Sequence, residues 1–327
     1  MYLVGTECDG CKMRLLFVVH RYAPYPGGSE YYVQNMAEEM LRRKHDVTVL
    51  AHEHQGDYNG VHVSNDYNTI LNQKWDLIIV HGGDVISQNM VHVNADKLQS
   101  PVLYLIVKPS ESAVCMHGLR EHRFLGYSTS MDLDFIKKHK LEDKARRVRH
   151  GIVKELYFRN VMDKTKTIFV SAGGFWPHKA MGPLAAAFTA AKIPNAELHL
   201  YGYGEEHLMP ADTHNVKCFF GRDRTDVLLA ISGADGYIMN SYEEGFGLVL
   251  LEAMMNQTPW YAREVAGAKD MCYYGTTYND EQELMELLRN HKRNDKKIED
   301  AYNYVMANHT IQDTCNDIED IMLETLR

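Results

Sequence analysis

Asn240-Ser241-Tyr242-Glu243-Glu244-Gly245-Phe246-Gly247-Leu248-Val249-Leu250-Leu251-Glu252-Ala253-Met254 joins a buried-strand end, an acidic glycine turn and a helix that carries a second carboxylate. Glu244 stands in the turn and Glu252 about two helical turns further on, so both can face one ligand reaching over the helix N-terminus. Gly245 and Gly247 let backbone N–H groups approach that ligand closely, while Leu248, Val249, Leu251 and Met255 supply an apolar face to pack on a sheet.

Outward from this stretch, strands and helices alternate. Met13 to His20 is a short apolar run of the kind a buried parallel strand needs, followed by a Pro/Gly turn and an amphipathic segment from Glu30 to Arg43. Further strands are expected at His45–Leu50, Trp75–Val80, Val102–Val107 and Phe124–Ser128. A second series begins with Thr167–Ser171 and continues through helix Gly182–Lys192, strand Glu197–Tyr201, helix Thr225–Ser232 and strand Gly236–Met239. This alternation predicts an α/β fold of two doubly wound parallel sheets. The polar stretch from His150 to Lys166 is the expected hinge, giving a first domain over 1–152 and a second over 153–310. Ligands of such open sheets bind outside the strand C-termini, hence in a cleft between the two halves.

The length of 327 residues suits two domains, and no apolar run of 18 or more residues is present. The opening Met1 to Lys12 lacks the apolar core of a signal peptide, so a cytoplasmic location without integral membrane association is expected. Cys8 and Cys11 have metal or redox spacing, but no second pair completes a zinc site, and they read as a reduced arm. Residues 1–150 carry balanced charge and eleven of the seventeen histidines; the whole net charge of −9 resides in the remainder. Gly202-Tyr203-Gly204 ends a strand like half a dinucleotide fingerprint, yet His207 stands where the third glycine belongs, which argues against a nicotinamide enzyme. Asp132-Leu133-Asp134 has metal-motif spacing but reads as acids at a helix start.

The Glu244–Glu252 spacing in its EGFG-LxxLEAM context resembles the donor site of the retaining glycosyltransferases of family 4 (glycosyl transferases group 1), which have the GT-B fold. The resemblance implies that Glu252 holds ribose hydroxyls and that Glu244 holds hydroxyls of the transferred sugar or stabilises positive charge at its anomeric carbon. Backbone amides of Phe246, Gly247 and Leu248 would then face phosphate or sugar, beside Gly245. The pair Gly27-Gly28 after the first strand corresponds to a glycine pair that approaches the donor diphosphate. Lys179 matches the lysine of a phosphate-clamping Gly-Arg…Lys loop, whereas Gly174 stands where that loop has arginine; Arg222 is the candidate substitute. The last segment, Ile311–Leu326, resembles the family's terminal helix, so 311–327 is expected to cross back onto the first domain.

The resemblance is weakest over 51–125. A histidine expected after the strand ending at Val107 is missing, which leaves Lys108, His81 and His117 as candidates for its electrostatic role beside the reacting sugar. The implied activity is transfer of a sugar from a nucleoside diphosphate donor, UDP- or GDP-linked, to an acceptor hydroxyl on a glycan, lipid or small molecule, with no metal or other cofactor. A DNA base as acceptor is a narrower variant, suggested by the basic run Lys137 to Arg149 and opposed by the net acidity. Two other readings share this architecture: a sugar-nucleotide 2-epimerase, and a non-catalytic sugar-nucleotide binding protein.

Overall fold

The computed structural model describes residues 12–83, 91–107, 110–154 and 165–327. In the first domain, β1 (Arg14–Val19), β2 (Asp46–Ala51), β3 (Gly56–Tyr58), β4 (Val61–Ser64), β5 (Leu77–His81), β6 (Val102–Leu105), β7 (Phe124–Tyr127) and β8 (Ala145–Arg147) form one sheet in the order β3-β4-β2-β1-β5-β6-β7-β8. All neighbours are parallel except the β3–β4 hairpin. In β1 only Arg14 reaches solvent and Leu15 to Val19 are buried, as a strand covered on both faces requires. Helices α1 (Gly28–Arg42), α2 (Tyr67–Leu71), α3 (Ala113–Glu121) and α4 (Ser130–Lys138) accompany the sheet.

The second sheet is wholly parallel. It contains β9 (Thr167–Phe175), β10 (Ala196–Gly204), β11 (Val216–Phe220), β12 (Gly236–Met239), β13 (Trp260–Arg263) and β14 (Thr276–Tyr278), ordered β11-β10-β9-β12-β13-β14. Its helices are α5 (Met181–Ala191), α6 (Arg224–Gly233), α7 (Leu248–Met255), α8 (Ala266–Asp270), α9 (Glu281–Arg289) and α10 (Asp295–Asn308). Strand order reverses between β1 and β5 in one sheet and between β9 and β12 in the other, the positions where open α/β sheets leave a crevice. The loops leaving β1, β9 and β12 carry Gly27, Lys179 and Glu244, respectively, and His81 is the last residue of β5.

The chain passes between the domains twice. Ile152 and Thr310 form a parallel bridge, with the Ile152 amide donating to the His309 carbonyl and the Ile311 amide to the Ile152 carbonyl, both at 2.9 Å. Helix α11 (Ile311–Thr325) then packs on α1, and its Ile311, Cys315, Ile318, Ile321 and Met322 join Tyr32, Val33, Met36 and Met40 in the first domain's core.

Helix α11 also accounts for two arginines of the basic run. Arg149 is bonded to Asp317 at 2.6 Å and Arg146 to Glu324 at 2.6 Å, so these arginines are committed to the terminal helix. Asp132 closes a capping box with Thr129 at the start of α4, as expected of a helix-start acid. The β3–β4 hairpin and α3 were not expected from sequence. Strand β3 is three residues long and mostly exposed, too short to show a period, and α3 lies in the stretch of weakest resemblance. Cys8 and Cys11 lie outside the described residues; Cys115, Cys218, Cys272 and Cys315 are free thiols. Among the described residues no helix is long and apolar enough to cross a membrane.

Candidate active site

A cleft of about 380 Å³ opens between the two sheets and is lined from both domains. The first domain contributes Gly27, Gly28, Glu30, Tyr31 and His81; the second contributes Gly173, Gly174, Trp176, Lys179, Arg222, Arg224, Glu244 to Leu248, and Glu252. Every site residue read from the sequence lies on this wall except Lys108, which falls outside the described residues, and His117. His117 is exposed on α3 and does not line the cleft.

The acidic turn owes its shape to Gly247, which sits at φ +90° immediately before α7. A β-carbon there would be strained, so glycine lets the chain reverse tightly and present the first N–H groups of α7 to the cleft. Leu250, Leu251, Ala253 and Met254 hold α7 in the second core, which leaves Glu252 on the face toward the cleft. Phe246 serves in two ways. It lines the cleft, and its ring stacks on His150 with centroids 4.5 Å apart. His150 in turn stacks on Tyr32 of α1 at 4.4 Å, so an aromatic column ties the acidic turn to the first domain. Burial pushes the His150 pKa well below the usual histidine value, with His81 and His309 adding to the effect, so the middle ring is neutral.

Both carboxylates carry cations. Lys179 donates to Glu244 Oε1 at 2.5 Å, and Ser241 Oγ donates to the same oxygen at 2.7 Å. The loop of Lys179 is pinned to the acidic turn by the Tyr242 amide, which donates to the His178 carbonyl at 2.8 Å. Glu252 is only 5 % exposed and accepts from Arg224 Nη2 at 2.6 Å. The Arg224 guanidinium also lies over the ring of Tyr31 in the first domain, 4.3 Å from its centroid. Arg222 is exposed at the rim, over Phe219.

On the first-domain side, Gly27 is the N-cap of α1, and Gly27 to Tyr31 line the cleft, so the first turn of the helix faces it. His81 ends β5 and is 4 % exposed. The Gly83 amide donates to His81 Nδ1 at 3.2 Å, which fixes Nδ1 as acceptor and places the ring proton on Nε2. His81 is therefore a hydrogen-bond donor through Nε2 at the junction of this cleft and a neighbouring hollow of about 230 Å³ lined also by His20, Arg21, Tyr25, Trp176 and Tyr203.

Sequence reasoning missed Arg224, Tyr31, Trp176 and His150. A local signal existed for Arg224, which occupies the first position of α6, where the helix dipole disfavours a cation. The others are aromatic or half-buried residues with no pattern of their own.

The arrangement is a cleft with three carboxylates, two helix N-termini and three cations, suited to a hydroxyl-rich ligand that carries an anionic group. Its two-sheet architecture is that of the GT-B glycosyltransferases. Anabaena HepE in complex with UDP and glucose superposes with a TM-score of 0.75 at 15% identity, over 95% of this chain and 100% of that one. Sucrose-phosphate synthase from Thermosynechococcus elongatus gives 0.79 at 14%, over 96% and 99%. WaaG, a glycosyltransferase involved in lipopolysaccharide biosynthesis, gives 0.71 at 16%, over 94% and 99%. No curated protein sequence matches the chain. Residues 153–304 match the family model described as Glycosyl transferases group 1. That domain, set in this fold, makes the chain a glycosyltransferase enzyme.

Proposed function

We propose that the chain moves a sugar from a nucleoside diphosphate donor to an acceptor hydroxyl with retention of anomeric configuration. The observation that carries this reading is the convergence of Glu244, Glu252, Lys179 and the Gly27–Gly28 turn on one cleft. Glu252 accepts hydrogen bonds from the ribose hydroxyls, and Glu244, held by Lys179 and Ser241, orients hydroxyls of the transferred sugar. The N-termini of α1 and α7 and the cations hold the diphosphate and stabilise the charge that develops on it as it leaves. Transfer without a metal ion is part of the reading, with Lys179, Arg222 and Arg224 as the cations that face the leaving group.

UDP is the first nucleotide to test, since HepE is similar in fold and its structures hold UDP with glucose and UDP-glucose. Retention is supported by the resemblance of the acidic turn to retaining family 4 enzymes. The acceptor enters from the neighbouring hollow lined by His81, Tyr25, Trp176 and Tyr203. Acceptor classes in this reading are a glycan, lipid or small-molecule hydroxyl. A DNA base is disfavoured, because Arg146 and Arg149 of the basic run are paired with α11.

A thermal-shift screen of UDP, GDP, ADP and their common sugar conjugates tests the proposal. One nucleotide series should raise the melting temperature of the wild type and not of Glu252→Ala. No shift with any of them would remove the donor assignment.

A further inference from the structure

The cleft presents three carboxylates, Glu30, Glu244 and Glu252, against three cations, Lys179, Arg222 and Arg224. It is thus close to neutral before any anion enters, and a diphosphate depends on where those cations lie. The glycine loop that precedes Lys179 cannot supply another. A β-carbon at Gly174 would overlap the indole of Trp176, so no longer side chain fits there unless the tryptophan moves. Of the cations present, Lys179 is bonded to Glu244 and Arg222 is exposed at the rim.

Arg224 is placed differently. It bonds Glu252 from one side and covers Tyr31 from the other. Tyr31 lies in the first turn of α1, so the guanidinium stands between the carboxylate read as the ribose ligand and the helix N-terminus read as a diphosphate ligand. It does so from the first position of α6, where an arginine works against the helix dipole and where Asp223 supplies the cap. A residue that costs local helix stability while reaching across a cleft is better accounted for by a ligand than by the fold.

We infer that Arg224 is a donor-binding residue that bridges Glu252 and the diphosphate, providing the second fixed cation beside Lys179. The planar fork of a guanidinium can serve a carboxylate and a phosphate oxygen together, which a lysine ammonium does less well. The bond to Glu252 holds the guanidinium in place, and through the phosphate Arg224 offsets charge on the leaving nucleotide. This inference rests on the donor reading above and adds a residue that the resemblance does not supply.

The test separates phosphate from nucleoside. Binding of UDP and uridine, with GDP and guanosine as a second pair, is measured by calorimetry on wild type, Arg224→Gln and Arg224→Lys. Losing a charge-assisted contact to phosphate should weaken nucleoside diphosphate binding by about ten- to a hundredfold in Arg224→Gln, with nucleoside binding changed less than about threefold. Arg224→Lys keeps the ion pair with Glu252 and serves if the glutamine variant fails to fold; it should lose diphosphate affinity by a smaller factor and leave nucleoside binding intact. Equal losses for nucleoside and nucleotide would mean that Arg224 acts only by orienting Glu252, and unchanged diphosphate affinity would mean that it touches neither; both overturn the inference while the donor reading stands. Wild-type protein that binds none of UDP, GDP and ADP overturns the donor reading and the inference together.

Discussion

Lys179 Nζ lies 2.5 Å from Glu244 Oε1, an oxygen that also accepts from Ser241. The ammonium therefore positions the carboxylate as well as facing the cleft. Replacing Lys179 by Met removes both effects, and kcat with the preferred donor should fall by about 10²- to 10³-fold, the range seen when a fixed electrostatic stabiliser is removed. Steady-state kinetics on a folded variant decides the matter; a loss below threefold would take Lys179 out of the reaction.

Glu244 and Glu252 should fail in different ways. Glu252→Gln loses charge at the ribose and should raise the donor KM by about tenfold or more, with the smaller effect on kcat. Glu244→Ala should lower kcat more than it weakens donor binding. Equal kinetic signatures for the two variants would show that the division of roles is wrong.

Acid should unfold the protein through its buried histidines. His92 and His122 are buried and share a hydrogen bond of 2.9 Å between their rings. Burial pushes His92 down to about 4, helped by His117, and His122 down to about 3, helped by His92 and Lys144. Both fall below the unfolded value of about 6.5, so the unfolded chain binds more protons than the folded one in between. Stability is then complete above pH 6.5 and declines as pH falls from there toward 4, by about 1.4 kcal/mol per pH unit for each histidine that stays neutral. Denaturant midpoints across pH 7 to 4.5 measure the slope, and replacing the pair by apolar residues of similar size should flatten it.

A contact across the domains should tune the cleft without holding up the fold. The Asp270 carboxylate accepts from the Ser130 amide at 2.7 Å and its hydroxyl at 2.6 Å, joining α8 to the start of α4. Both residues are exposed, so Asp270→Ala should move the melting temperature by about 2 °C or less. Donor KM should rise by about two- to fivefold because the closed arrangement loses a tie. Solution scattering that reports the same dimensions for both proteins, with unchanged KM, would make the contact incidental.

The sequence made the sheets legible wherever burial was complete on both faces. Leu15 to Val19 and Gly236 to Met239 form continuous buried runs, and both were expected within a residue or two. Strands β9 and β10 run on to Phe175 and Gly204, past the ends expected at Ser171 and Tyr201, because Gly173 and Gly174 pair with Gly202 and Tyr203 where glycine suggested a turn. The acidic turn was legible because glycines and acids with fixed spacing are specific to one backbone shape. Arg224 and His150 were not. Each matters through a partner distant in sequence, Tyr31 for one and Tyr32 for the other, and single-chain patterns hold no record of such pairs.

Helix α11 is the last element and yet supplies one wall of the first domain's core. During synthesis, the part of that core completed by Ile311, Cys315, Ile318, Ile321 and Met322 therefore stays open while the whole second domain is made. The domain that starts first closes last, and its apolar face needs shelter from neighbouring chains or a chaperone for the length of translation.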